Sequence, residues 1–260
     1  MNMPTLFVSH GAPTVAIEPG VTGQAWQKLG RELPRPSAIL VISAHWESAE
    51  PAVSTAAHPE TIHDFYGFPD EMYRLRYPAP GAPALAQQVV GLLGQAGIPV
   101  SVDAQRGLDH GSWVPLMQMY SEADIPVTQL SLQPDQDPAW HIALGRALRP
   151  LREQNVLIIG SGSITHNLRA LRSHPPGAAV PGWVTEFCDW VDEKIIAGDI
   201  ESLSAYRTLA PHAVQNHPTD EHLLPLFVAL GAAGEISKAK RLNSVMTYGM
   251  LAMDMWLFNG

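Results

Sequence analysis

"PSAILVISAHWES", residues 36–48, decides how the chain is read: a nearly continuous apolar run that ends in Ser43, Ala44, His45 and Trp46. A strand that alternates polar and apolar residues has one wet face, whereas an unbroken run of Ile, Leu and Val needs cover on both. Such strands sit at the centre of a sheet with helices above and below. "TLFVSH", residues 5–10, repeats the order of apolar run, serine and histidine. If the two strands run parallel, His10 and His45 reach the same edge of the sheet, where connecting loops diverge and leave a crevice for a ligand.

Further apolar runs at 100–102, 127–132 and 156–159 extend the pattern, and helical segments fall between them. "APALAQQVVGLLGQAG", 82–97, begins after Pro-Gly and ends in glycine, while "DPAWHIALGRALRPL", 137–151, opens with Asp137 as N-cap and Pro138 in the first turn. "PGWVTEFCDWVDEKI", 181–195, reads as an amphipathic helix with Trp183, Phe187, Trp190 and Val191 near one face. The last stretch, 241–260, supplies one or two strands that complete the sheet, its methionines serving as core filling. The alternation predicts an α/β fold: one layered domain over 1–260 with a central, mostly parallel or mixed sheet flanked by helices. The segment 47–80, rich in proline and aromatic residues, reads as an ordered excursion beside a pocket.

Composition narrows the function. One cysteine, Cys188, excludes a disulfide framework and a Cys-rich metal site, and it reads as a structural residue of its helix. A formal charge of −9 with 16 Lys and Arg gives no footprint for nucleic acid. Neither a signal peptide nor an apolar run long enough for a membrane span is recognisable, so a soluble, cytoplasmic protein, and a homo-oligomer as many soluble enzymes are, is expected. The motifs HExxH, GxGxxG, the P-loop and GxSxG are all absent, which argues against the common metalloprotease, nucleotide-binding and serine hydrolase designs.

What remains unusual is histidine, present eleven times. "NVLIIGSGSITHNL", 155–168, carries His166 past a third apolar run, and in "NHPTDEHLLPLFVALG", 216–231, Thr219 is placed to cap a helix whose first turn holds Asp220, Glu221 and His222. His110, in "LDHGSW", stands just before another helix. These positions are too dispersed for a small structural zinc site and suit an open catalytic site assembled by the fold. Either Glu221 or His222 could join His10 and His45 as a third metal ligand.

The ordered set "SHGAP" (9–13), "SAHW" (43–46), "TIHDFYGFP" (61–69), "LDHGSW" (108–113), "GSGSITHNL" (160–168) and "PTDEHLLPL" (218–226) resembles the 4,5-DOPA extradiol dioxygenase family, a branch of the LigB-like class III extradiol dioxygenases. The resemblance covers nearly the whole chain. It implies a non-haem Fe(II) enzyme, with zinc as a substitute metal in purified protein, that uses O₂ to cleave a catechol ring beside its two hydroxyls and yields a muconic semialdehyde. It further implies His10, His45 and His222 as metal ligands, His166 as acid and base, and His110 beside substrate and oxygen. His63, Phe65, Tyr66 and Phe68 are implied as pocket wall. Many extradiol enzymes use two histidines and a carboxylate, so Glu221 stays the rival of His222. DOPA, caffeate or another para-substituted catechol is the implied small-molecule partner, and the lack of a compact basic cluster argues against a heavily anionic one. A zinc hydrolase, or a non-enzymatic binding protein built on the same histidine-lined pocket, is the alternative.

Overall fold

In the computed structural model, residues 2–175, 177–234 and 238–259 are described; Met1, Pro176, 235–237 and Gly260, all within the expected domain, lie outside them. Strands β1 (Thr5–Ser9), β2 (Ala38–Glu47), β3 (Ala52–Ser54), β4 (Ser101–Asp103), β5 (Val127–Leu132), β6 (Val156–Gly162), β7 (Lys238–Thr247) and β8 (Leu251–Asn259) form one mixed sheet in the order β4-β3-β5-β2-β6-β1-β8-β7. Its centre, β5-β2-β6-β1, is parallel throughout, and β3 and β8 join that centre antiparallel. Four of the five apolar runs read from the sequence are the central parallel strands, each buried along nearly its whole length, whereas the run at 100–102 becomes the solvent-exposed edge strand β4. Side chains alternate across them, so that Leu40, Ile42 and Ile158 pack on one face and Ile39, Val41, Leu157 and Ile159 on the other.

Helices cover both faces. On one lie α1 (Gly20–Glu32) and α3 (His110–Met119). The other carries α2 (Pro83–Gln95), α4 (Pro138–Leu148), α6 (Gly182–Ala197) and, after the short α5 (Leu168–Ser173), α7 (Ile200–Ser204), α8 (Tyr206–Leu209) and α9 (Ala213–Asn216), the wholly buried α10 (Leu224–Ala233). Asp137 does cap α4, accepting from Trp140 N at 2.7 Å. In α6 the buried stripe is Val184, Phe187, Cys188, Val191 and Ile195, with Trp183 and Trp190 half-buried beside it. Burial pushes the Cys188 thiol up, which suits its structural reading.

As read from the sequence, His45 stands at the end of β2, which runs on to Glu47 with a register break after Ile42. Such irregularities re-aim side chains. The helix expected to start beside Thr219 begins at Leu224 and has no side-chain cap. Pro225, which lacks an N–H, fits its first turn, while Asp220 is drawn off by Tyr206 Oη at 2.8 Å and by Arg207. Glu221 and His222 therefore lie in the turn ahead of the helix. The excursion at 47–80 contains β3 and is pinned by Trp113 Nε1 to Ile62 O at 2.9 Å and by Tyr77 Oη to Tyr120 O at 3.0 Å.

Glycines let α10 lie deep. A Cβ on Gly145 of α4 would stand 2.2 Å from Val228 O, and one on Gly231 of α10 would stand 2.2 Å from Ile142 O. Gly231→Ala is expected to cost about 1–3 kcal/mol through this backbone contact, read as a lower urea midpoint with an unchanged slope.

The β7–β8 hairpin turns at Tyr248 and Gly249, both with positive φ, and Met250 N donates to Thr247 O at 3.2 Å. Arg241 on β7 ties the hairpin to α6 by pairing with both Asp254 and Asp192. Two carboxylates share one guanidinium. Burial pushes Asp192 up to about 7, Arg241 pulls it down, and the charge of Asp254 pushes it up. An unfolded aspartate releases its proton near about pH 3.9, so between that pH and neutrality the folded chain holds the extra proton and stability falls as pH rises. Asparagine cannot ionise. The destabilisation caused by Asp192→Asn is therefore expected to be smaller at about pH 8 than at about pH 5, measured by urea unfolding at both.

Candidate metal centre

The parallel centre of the sheet sets the site. β1 and β6 pair in register from Thr5 with Ile158 to Ser9 with Gly162, and His10 N continues the ladder to Gly162 O at 3.0 Å. His45 enters from the end of the next strand, β2, on the other side of β6. Gly162 has no side chain because a Cβ would stand 2.0 Å from His222 O, and Ser163 N donates to that carbonyl at 2.8 Å. One backbone hydrogen bond thus brings His222 to the end of β6. His166 N is held by Asn216 O at 3.0 Å, and His110 opens α3, which Asp109 caps.

The five histidines converge. A ring nitrogen from each of His10, His45 and His222 lies within 4.8 Å of the other two. The His45 and His110 rings are 4.0 Å apart, and His166 stacks on His222 with centroids 3.3 Å apart and planes 12° from parallel.

Hydrogen bonds set the tautomers. Ser161 Oγ donates to Gly111 O and so accepts from His10 Nδ1 at 3.0 Å. His45 Nδ1 faces Asp64 Oδ2 at 3.4 Å, and His222 Nδ1 donates to Glu221 Oε1 at 2.8 Å. His10 and His222 spend their proton on the Nδ1 side and leave Nε2 as a lone pair, and the facing carboxylate favours the same tautomer of His45. In that tautomer His10 Nε2 and His45 Nε2, 3.0 Å apart, are two acceptors facing each other. That arrangement is repulsive by itself and becomes favourable around a Lewis acid, for which the nitrogen spacing is right.

Electrostatics agree. Burial first, and then the neighbouring histidines, hold His10 and His222 well below the ordinary imidazole range. Burial brings His45 to about 4 against the pull of Asp109, Asp64 and Glu221, and brings His166 to about 4 against that of Glu221. All four are neutral at neutral pH, the state a metal ligand needs.

Asp64 and Asp109 do much of the positioning, and neither was singled out from sequence. Asp64 accepts from His110 N and from His110 Nδ1, both at 2.9 Å. Burial pushes its carboxyl up, but the His110 hydrogen bonds and the charges of His110 and His45 hold it at about 2. Asp109 is fully buried and takes Ser43 Oγ at 2.7 Å, Arg106 Nη2 at 2.7 Å and Gln129 Nε2 at 2.8 Å, locking the end of β2 to α3. A carboxylate beside His63, in an otherwise aromatic run, was the available signal for Asp64.

The site opens into a cavity of about 370 Å³. Phe65 and Phe68 stand in its wall, as do Leu168, Leu171, Tyr248 and Leu251, which sequence reasoning missed. Two residues expected in the wall are elsewhere. Tyr66 is 89% exposed, and His63 sits behind Phe65, packed against Tyr73 and Trp113 and bonded to Leu75 O at 3.1 Å. The Arg76 guanidinium and that carbonyl occupy the His63 imidazole, and the turn at Gly67 throws Tyr66 outward.

A family described as the catalytic LigB subunit of aromatic ring-opening dioxygenase matches residues 4–255. The chain is 45% identical to a 4,5-DOPA dioxygenase extradiol of Beta vulgaris, covering 94% of each, and 44% identical to one from Escherichia coli K12, covering 89% of this chain and 85% of the other. A crystal structure of an uncharacterised protein from Escherichia coli K12 superposes with a TM-score of 0.83 at 36% identity, over 99% of this chain and 100% of that one.

Gly111 is the tightest point of the centre. A Cβ there would stand 2.5 Å from Ser43 Oγ, 3.1 Å from His45 Cδ2 and 3.2 Å from His10 Nδ1. Gly111→Ala is expected to keep the far-ultraviolet circular dichroism of the parent and to weaken binding of a Co(II) probe by roughly tenfold or more, followed by its visible absorption.

Proposed function

Because the chain belongs to the LigB family of aromatic ring-opening dioxygenases, we propose that it is an Fe(II)-dependent extradiol enzyme that joins both atoms of O₂ to a catechol and releases a muconic semialdehyde. The observation that carries this reading is the meeting of three unprotonated Nε2 atoms, from His10, His45 and His222, at the floor of a partly aromatic cavity. These three residues would hold the metal. Three protein ligands leave open positions, and bound Fe(II) would supply there a shared centre for catechol and O₂, overcoming the reluctance of O₂ to react with a closed-shell ring.

The chain's own residues handle protons and orientation. His166, neutral and stacked on His222, accepts a proton from the catechol hydroxyl beside it and returns it to the product. Glu221 faces His166 Nδ1 at 3.9 Å and stabilises the cation that forms. His110 is fixed through N and Nδ1 by Asp64, so its Nε2 is the atom presented to the oxygen side of the substrate. Phe65 and Phe68 meet edge to face at 5.2 Å between centroids and give the aromatic ring an apolar wall. Glu221 is the carboxylate that orients His222 rather than a ligand in its place, since its Oε1 already takes the His222 Nδ1 proton. We also place the enzyme in the cytoplasm, which suits a single buried cysteine.

With Fe(II) restored, a panel of catechols is expected to give O₂ uptake together with a yellow ring-opened chromophore. Stoichiometric zinc with hydrolysis in the absence of O₂, or ligand binding without turnover under either metal, would overturn the reading. Metal analysis separates the roles. His10→Ala, His45→Ala and His222→Ala are expected to empty the site, His166→Ala to keep metal but lose turnover, and Glu221→Ala to weaken metal binding by only about 10–100-fold.

A further inference from the structure

One side of α5 changes character along its length. Leu168, Leu171 and His174 stand three residues apart, which places them on the same side of the helix and its C-terminal cap. Both leucines line the cavity above the metal centre. Leu171 and Tyr248 line that cavity and also an adjoining recess of about 390 Å³, which His174 and Gly177 complete. The apolar stripe thus ends, one place further out, on an imidazole.

His174 is firmly seated. Its N donates to Leu171 O at 3.1 Å and closes α5. Gly249, at φ 68° on the tip of the β7–β8 hairpin, lies so close that a Cβ there would stand 2.6 Å from His174 Nε2. The hairpin, tied to α6 by Arg241, therefore lacks a side chain where the ring packs. Yet Nε2 is buried and has no hydrogen-bond partner among the described residues. A buried ring nitrogen left unpaired costs stability, and a ligand that pairs with it recovers that cost.

The cavity itself offers charge little. Among the described residues that line it there is no lysine or arginine, and the Asp64 carboxylate is committed to His110. Arg169 and Arg172 of α5 are exposed to solvent and line neither space. A catechol with both hydroxyls on the histidine floor points the group opposite them past Leu168 and Leu171. The six residues of α5 advance about 9 Å, the scale of a benzene ring with a three-carbon side chain. A carboxylate ending that side chain arrives at the recess, whose side-chain donors are His174 and Tyr248. Tyr248 is 58% exposed and can bond to water, so the imidazole has more to gain. Rotation of its ring about χ2 turns a nitrogen from Gly249 into the recess.

We propose that His174 is a specificity-determining residue that binds, in the recess beyond Leu171 and Tyr248, the carboxylate ending the substrate's para side chain. The preferred substrates are catechols with a short carboxylate-bearing chain, L-DOPA among them. The proposal rests on the ring-cleavage reading above. The imidazole donates one N–H to the carboxylate, and the leucines pack against the carbons between it and the ring.

The test uses the full-length, Fe(II)-loaded chain with two substrate pairs that differ by a carboxylate, L-DOPA with dopamine and 3,4-dihydroxyphenylpropionate with 4-ethylcatechol, and with catechol itself, followed by O₂ uptake. In each pair kcat/KM is expected to be at least about tenfold higher for the carboxylate. His174→Ala is expected to lower both ratios by roughly tenfold, through KM rather than kcat, and His174→Gln, which keeps a side-chain N–H, to restore part of the loss. The wild-type ratios and the glutamine variant carry the test if the alanine variant does not fold. Wild-type ratios near one, or losses in the variants that fall equally on all five substrates as a purely structural role would give, overturn the assignment of His174, while turnover of catechol leaves the ring-cleavage reading standing. If none of the five is opened with iron occupancy verified, the ring-cleavage reading falls and the inference with it.

Discussion

Everything at the centre of this protein depends on where three imidazole protons are not. Ser161, Asp64 and Glu221 each draw the Nδ1 side of one ring, and the Nε2 sides are left to converge where the rings line the cavity. His10 and His45 are held at a separation that only a cation or a proton makes comfortable. Burial keeps protons off these nitrogens, because a charged imidazole would lose its hydration without gaining an adequate partner. The orienting acceptors therefore matter as much as the ligands, for they make the lone pairs converge.

The fold supplies that convergence cheaply. Parallel pairing of β1, β6 and β2 brings three chain segments to one edge, and the absence of side chains at Gly111 and Gly162 lets α3 and the turn before α10 approach closely. Asp109 then ties Ser43, Arg106 and Gln129 into one buried network, so the end of β2, the start of α3 and β5 cannot move separately. A site assembled on such packed elements tolerates little displacement, as binding a metal through three side chains requires. The short helix α5 and the β7–β8 hairpin add Leu168, Leu171, Tyr248 and Leu251 to the cavity lining.

Much of this was legible in the sequence for physical reasons. The central strands announced themselves because burial on both faces demands unbroken apolar runs, and their Ser-His endings pointed to one edge. β3 was hidden because three residues inside a proline-rich excursion carry too short a pattern. The start of α10 was misplaced because Thr219 and Asp220 look like a capping pair, whereas Asp220 is claimed by Tyr206 and Arg207 from another part of the chain. His63 and Tyr66 were misread as cavity wall for a related reason: in an irregular segment, neighbours in sequence need not share a face, and only Phe65 and Phe68 turn inward.

By itself the sequence determined the class of fold and the set of histidines, because hydrophobic periodicity and residue chemistry are local properties of the chain. The tertiary structure decided that Asp64 holds His110, that Glu221 accepts from His222 Nδ1, and that leucines and Tyr248 line the cavity. Those outcomes turn on hydrogen bonds and contacts between residues far apart in the chain. No local pattern encodes them, since each partner acquires its role only when folding removes the water that would otherwise serve in its place.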